Sequence, residues 1–270
     1  MPIPVGTGEF TLPNNGEPIK VFTYKPPTFA NGPLLVIIHG SDRNAEDYRN
    51  YAITIAERYN MVVAAPLFDK EHYTDEQYKR GCGMTKDGKV QPRELWTYNA
   101  IDRLVAEVRG KEEAARMPYY ILGHSGGGQF VSKMAFFFQG DATRFVAANP
   151  GSNIFPDKSF PFPYGLGGLP PELTSDEVLQ KACAAKLTFF LGTGDVYQHK
   201  EDGFDFSEYA MKQGPVRLAR NHNFYNLMQK LAVGHGWAFN WRIVETPDIG
   251  HSGSKMFHAA EVGDALFGSK

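Results

Sequence analysis

The 270-residue chain is short of several things, and each shortage removes a class of explanation. Only two cysteines are present, Cys82 and Cys183, in no metal-like spacing. That argues against a disulfide-stapled scaffold or a cysteine-rich metal domain, and leaves two buried free thiols as the expectation, with one long-range disulfide as the alternative. No apolar run approaches the roughly 20 residues of a membrane span. The opening MPIPVGTGEF has no basic segment followed by an apolar core, so a soluble, cytoplasmic protein is expected. Neither sign of charge dominates: 28 Lys and Arg against 30 Asp and Glu leave a formal charge of −2. There is thus no electrostatic footprint for nucleic acid or an anionic membrane. The dinucleotide pattern G-x-G-x-x-G, the phosphate loop G-x-x-x-x-G-K-[ST] and the zinc pattern H-E-x-x-H are all missing. No metal and no cofactor is expected, and His72, His199, His222, His235 and His258 read as surface or core residues.

What is present suits one α/β domain with an ample core, since 42% of residues are hydrophobic and 13% aromatic. Two antiparallel strands near Gly8–Leu12 and Ile19–Tyr24 open the chain, split by the turn Pro13-Asn14-Asn15-Gly16. Continuously apolar runs at 34–38, 61–66, 119–122, 145–149 and 186–191 read as strands covered on both faces, and Trp241–Glu245 as the last strand. Helical periodicity falls between them, over 44–59, 94–116, 129–139, 174–185 and 214–233, with Thr174 or Ser175 as a cap. The alternation predicts a mostly parallel, doubly wound sheet whose site lies at the C-terminal strand ends. Residues 150–173, rich in Pro, Gly and aromatics, fit no regular element and are expected to form a small lid inserted into the single domain 1–270.

One stretch organises the rest. Tyr119–Leu122 is a strand, and Gly123-His124-Ser125-Gly126-Gly127 then matches G-x-S-x-G, with Gln129–Gln139 as the following helix. A serine on such a tight strand-to-helix turn needs neighbours almost without side chains. Gly123, Gly126, Gly127 and Gly128 supply them, and the first N–H groups of the helix point back at Ser125, where negative charge can develop. The competing reading is a plain glycine-rich loop between strand and helix.

Ser125, Asp195 and His251 each fall at the end of a predicted strand, in the chain order Ser, Asp, His. With that order, with His39-Gly40-Ser41 after an earlier strand and with Gly250-His251 near the end, the sequence resembles the α/β-hydrolase superfamily over nearly its whole length. Within it the chain is most similar to single-domain esterases of the polyhydroxybutyrate-depolymerase, feruloyl-esterase and dienelactone-hydrolase group. The resemblance implies a serine nucleophile at Ser125, a base at His251, an orienting acid at Asp195 and an oxyanion hole from the backbone N–H groups of Ser41 and Gly126. A serine hydroxyl is a poor nucleophile near neutral pH, which is why a base and an orienter are required. Asp202, Asp205 and especially Asp248 compete with Asp195 for the acid role, although only Asp195 directly ends an apolar strand.

His39 is expected to shape the oxyanion loop, and His124 to be buried and hydrogen-bonded or to touch substrate. Tyr73, Tyr78, Phe155, Phe160, Phe162 and Tyr164 are the candidate aromatic pocket, with loop packing as the alternative at each. The polar loop 196–214 reads as a solvated face or pocket rim. The expected reaction is cleavage of a small-molecule or short polymer carboxylic ester through an acyl-enzyme. A peptidase or amidase using the same residues, or a non-catalytic binding protein on the same fold, are the alternatives.

Overall fold

A computed structural model of the chain describes residues 1–14, 16–81, 85, 89–201 and 203–268; Cys82 and Asp202, singled out above, lie outside the described residues. Eight strands form one sheet: β1 (Gly6–Leu12), β2 (Ile19–Lys25), β3 (Leu34–Ile38), β4 (Val62–Pro66), β5 (Tyr119–His124), β6 (Arg144–Ala148), β7 (Leu187–Gly192) and β8 (Arg242–Thr246). Their spatial order is β1-β2-β4-β3-β5-β6-β7-β8. From β4 to β8 every pairing is parallel, whereas β2 runs antiparallel to both β1 and β4.

The unbroken apolar runs are explained by the pleat. Along β3, Leu34, Val36 and Ile38 enter one core and Leu35 and Ile37 the other, so a strand covered on both faces cannot alternate with polar residues. Each such side chain stabilises the fold by about 1.5–3 kcal/mol. One face is covered by the helices Asn99–Lys111, Gly126–Phe137 and Arg217–His235, the other by Ala45–Tyr51, Ile53–Tyr59 and two short C-terminal helices. The doubly wound α/β architecture expected from the sequence is therefore the one that forms.

Several predicted helices are trimmed or divided for local reasons. Residues 44–59 form two helices that meet at Ala52. The predicted 94–116 helix begins only at Asn99, because Arg93–Leu95 is a separate 3-10 turn and Trp96 is extended. Ser175 rather than Thr174 is the cap of Asp176–Ala184, its side chain accepting the Val178 N–H. The predicted 214–233 helix starts at Arg217, beyond Pro215, and stops at left-handed Gly236. Cys183 is a free, buried thiol.

Candidate active site

The strand order reverses at β3, which has β4 on one side and β5 on the other. Chain leaving β3 and chain leaving β5 therefore diverge around a crevice, the position at which open α/β sheets hold their ligands. Ser41 follows β3 and Ser125 follows β5, so the topology alone makes neighbours of two residues 84 positions apart.

Ser125 occupies a left-handed backbone conformation, φ 56° and ψ −116°, that a non-glycine residue adopts at a cost of about 1–3 kcal/mol. The turn is held by the Ser125 N–H donating to Ala148 O at 3.0 Å. Its glycines are dictated by close approach. A Cβ on Gly123 would lie 2.3 Å from Gly127 O, and one on Gly127 only 2.2 Å from Ile38 O.

His251 stands with Nε2 2.9 Å from Ser125 Oγ and Nδ1 2.9 Å from Asp195 Oδ2. A carboxylate can only accept, so Nδ1 carries the proton and Nε2 is left as acceptor for the serine hydroxyl. Asp195 is 2% exposed, and its other oxygen, Oδ1, accepts from Arg217 Nη1 at 3.3 Å. Arg217 is equally buried and lies 5.1 Å from the ring centre of Phe204. Of the competing acids, Asp248 sits in a left-handed turn with its N–H donated to Thr193 Oγ1, and Asp205 accepts from Tyr164 Oη and the Ser207 N–H.

The Ser41 N–H finds no hydrogen-bond acceptor among the described residues, and a Cβ placed on Gly126 would lie 3.2 Å from Ser41 N. Gly126 is the first residue of its helix, so its own N–H has no intrahelical acceptor either. Two free donors thus converge beside Ser125. The loop carrying Ser41 is fixed from behind by His39, whose Nε2 accepts the Phe68 N–H while Nδ1 reaches Gly40 O at 2.9 Å. Burial holds the His39 pKa down to about 4, so it stays neutral. His124 is also buried and bonded through Nδ1 to Tyr48 Oη, 2.9 Å away. Desolvation first, then the neighbouring His251 and Arg217, push its pKa well below the usual histidine value.

Two cavities meet at Ser125 and share Ser41 and Gly203. One, of about 300 Å³, is walled by Gln129, Lys133, Lys79, Arg80, Tyr164 and Asp205. The other, of about 390 Å³, is walled by Tyr48, His124, His251 and the exposed Lys200 and Glu201. Most of the expected aromatic pocket is elsewhere. Tyr78 is fully buried, its ring 4.8 Å from that of His39 and its hydroxyl donating to His39 O. Tyr73 faces a separate cavity and accepts from Asn14 Nδ2 at 3.0 Å. Phe155 stacks on Phe224, Phe160 packs against Phe155 and Tyr209, and Phe162 lies against the core. Rings of this size lose more exposed area in an apolar layer than along a polar wall, so of the six only Tyr164 lines the crevice.

The segment expected as a lid is hydrogen-bonded to the facing side of the crevice. Arg220 donates to Gly151 O, and Gln213 accepts the Asn153 N–H and donates to Asn153 O and Tyr164 O, which pins residues 150–165 from the facing side. Loop 196–214 is less solvated than its composition suggests, because Phe204 is buried beneath Arg217 and Arg220. Sequence reasoning missed Arg217, Gln129 and Lys133. A signal for the last two was available: they follow Ser125 at spacings of four in a helix whose other residues are apolar or glycine except Ser132. Among the described residues no group of three or more His, Cys, Asp or Glu is arranged to hold a metal ion.

The chain matches no protein-family model, and no curated protein matches it. Solved structures do. It is 32% identical to poly(aspartic acid) hydrolase-1 from Sphingomonas sp. KT-1, over 95% of this chain and 97% of that one, with a TM-score of 0.88. The chain belongs to the α/β-hydrolase family. The hydrolase is also 31% identical to LpqC, a poly(3-hydroxybutyrate) depolymerase from Bordetella parapertussis, over 94% of this chain and 88% of that one, with a TM-score of 0.85. It shares its fold alone with the S-formylglutathione hydrolase FrmB from Staphylococcus aureus, at 14% identity, 94% coverage of each chain and a TM-score of 0.57. No helix among the described residues is long and apolar enough to cross a membrane.

Proposed function

We propose that this hydrolase cleaves carboxylic esters through an acyl-enzyme, with Ser125 as nucleophile, His251 as general base and acid, and Asp195 as the group that orients it. The observation that carries the reading is the unbroken line Ser125 Oγ, His251 Nε2, His251 Nδ1, Asp195 Oδ2, with 2.9 Å at each of its two hydrogen bonds. As Ser125 Oγ attacks the acyl carbon, its proton passes to His251 Nε2, and the buried Asp195 stabilises the imidazolium. The N–H groups of Ser41 and Gly126 receive the oxyanion, each worth about 3 kcal/mol of barrier. Collapse breaks the bond to the leaving oxygen, which takes the proton from His251. Water, deprotonated by the same nitrogen, then frees the acid and restores Ser125.

A second reading, amide cleavage by the same residues, is favoured by one of the two closely similar structures being named for poly(aspartic acid), whose links are amides, while the other is named for an ester polymer. Small molecules or short polymers are the substrates either way. The test is a pre-steady-state burst of p-nitrophenol from p-nitrophenyl butyrate, together with fluorophosphonate labelling mapped by mass spectrometry. The expected result is a burst of about one equivalent and an adduct on Ser125, both abolished in Ser125→Ala. A burst that survives Ser125→Ala overturns the proposal. Comparing ethyl esters with the matching amides separates the two readings.

A further inference from the structure

We propose that the cavity walled by Lys133 receives an acyl group bearing a free carboxylate, and that Lys133 is the residue that selects it. The proposal rests on the hydrolytic reading above and names the class of substrate.

Lys133 belongs to the helix Gly126–Phe137 that starts at Ser125. Residues 125, 129 and 133 fall on one helix face, and eight residues of rise place the Lys133 backbone about 12 Å along the axis from the serine. Side chains on a helix lean towards its N-terminus, so the lysine reaches back along the crevice. It lines the cavity, yet the residue is only 2% exposed. Among the described residues it makes no hydrogen bond and no ion pair. Its basic neighbours are matched: Lys79 Nζ bonds Asp75 at 2.9 Å and Arg80 Nη1 bonds Glu76 at 3.4 Å. Of the two acids lining the cavity, Asp75 is the one held by Lys79, and Asp205 already accepts from Tyr164 Oη at 2.7 Å and from the Ser207 N–H. An ammonium that opens only onto a cavity and has no protein partner is costly to hold in its charged form. Burial, helped by Arg80 and Lys79 and opposed by Asp205, accordingly lowers its pKa to about 7. A carboxylate delivered to the cavity supplies the missing partner through a charge-assisted hydrogen bond.

The location of His251 decides which half of the substrate carries that carboxylate. The leaving oxygen must collect its proton from His251, which lines the other cavity and not this one. The alcohol therefore departs on the His251 side and the acyl chain lies on the Lys133 side. Attack by Ser125 joins the dicarboxylic acyl group to Oγ and releases the alcohol with the proton from His251; water then releases the diacid.

The experiment compares kcat/KM for monoethyl succinate and for ethyl 4-methylpentanoate, whose branched end has the shape of the carboxylate without its charge. The wild-type enzyme is expected to prefer the charged ester by roughly tenfold or more, equivalent to about 1.4 kcal/mol. Lys133→Met should erase that ratio, and Lys133→Arg should keep part of it. An ester with the carboxylate on its alcohol, O-butanoyl glycolate, should gain no such preference over ethyl butanoate. A wild-type ratio near one or below overturns the proposal without needing any variant to fold, as does a ratio unchanged in Lys133→Met. A preference for the glycolate ester overturns the assignment to the acyl side. Hydrolysis of none of these esters, nor of p-nitrophenyl butyrate, instead refutes the hydrolytic reading, and the substrate proposal falls with it.

Discussion

Replacing Arg217 by methionine isolates the group behind the acid. Among the described residues the Asp195 carboxylate has two partners, His251 Nδ1 on one oxygen and Arg217 Nη1 on the other, and the Asp195 and Arg217 side chains are 3% and 2% exposed. Removing one member of a buried ion pair costs about 3–5 kcal/mol, because the survivor stays desolvated. Asp195 keeps its bond to His251, which places the loss at the lower end, roughly 3–4 kcal/mol. Unfolding entropy of ~2.1 cal/mol/K per residue gives ~0.57 kcal/mol/K for this chain length, so Tm should fall by about 5–7 °C. Differential scanning calorimetry reads this directly. The decisive comparison is Arg217→Met combined with Asp195→Asn. With both charges gone, neither is left buried without the other, and the double variant should lose at least about 1 kcal/mol less than the two single losses added together. A Tm drop within about 1 °C, or strictly additive losses, would refute the idea that Arg217 neutralises a buried carboxylate.

Ser125→Gly should melt about 2 °C above Ser125→Ala, since glycine releases ~1–3 kcal/mol of left-handed strain against ~0.5–1 kcal/mol of added chain entropy; the reverse order would remove the strain argument. Gly127→Ala places a Cβ 2.2 Å from Ile38 O and 2.4 Å from His39 O, both backbone. It should cost more than about 4 kcal/mol, and a soluble variant melting within a few degrees of wild type would contradict that contact. Lys133, facing Arg80, Lys79 and Asp205, has its pKa lowered from 10.5 to about 7 in the folded protein. Between these values the unfolded chain binds more protons, so the destabilisation from burying the lysine charge is full below pH 7 and is relieved as pH rises from about 7 to 10.5. The Tm difference between wild type and Lys133→Met should follow that slope, and a flat difference would show that the lysine is not desolvated.

The fold was legible because the runs at Leu34–Ile38 and Tyr119–Leu122 are too apolar and too short to be anything but covered strands, and because helices fall between them. Ser125, Asp195 and His251 were legible as strand-end residues. Their mutual distance was not, since it depends on strand order, and the reversal at β3 leaves no mark in a linear pattern. Arg217 was hidden for the same reason: it opens a helix, and its partner belongs to a loop 22 residues earlier. The aromatic pocket was misread because a phenylalanine in a proline-rich stretch looks the same whether it lines a cleft or, like Phe155, stacks on Phe224 in the core. Lys133 was the reverse case, a charge whose spacing from Ser125 carried information that periodicity in apolar residues does not measure.

The crevice divides its labour between parts of the chain that can change separately. The serine and its two amides rest on β3, β5 and glycines packed backbone to backbone, where almost no substitution fits. The outer surfaces, from Pro163 and Tyr164 on one loop to Gly203 and Asp205 on another, belong to connections held by side-chain hydrogen bonds such as those of Arg220 and Gln213. On the proposed mechanism, a change of substrate is thus a matter of rewriting two loops and position 133, while the Ser125, His251 and Asp195 line beneath stays as it is.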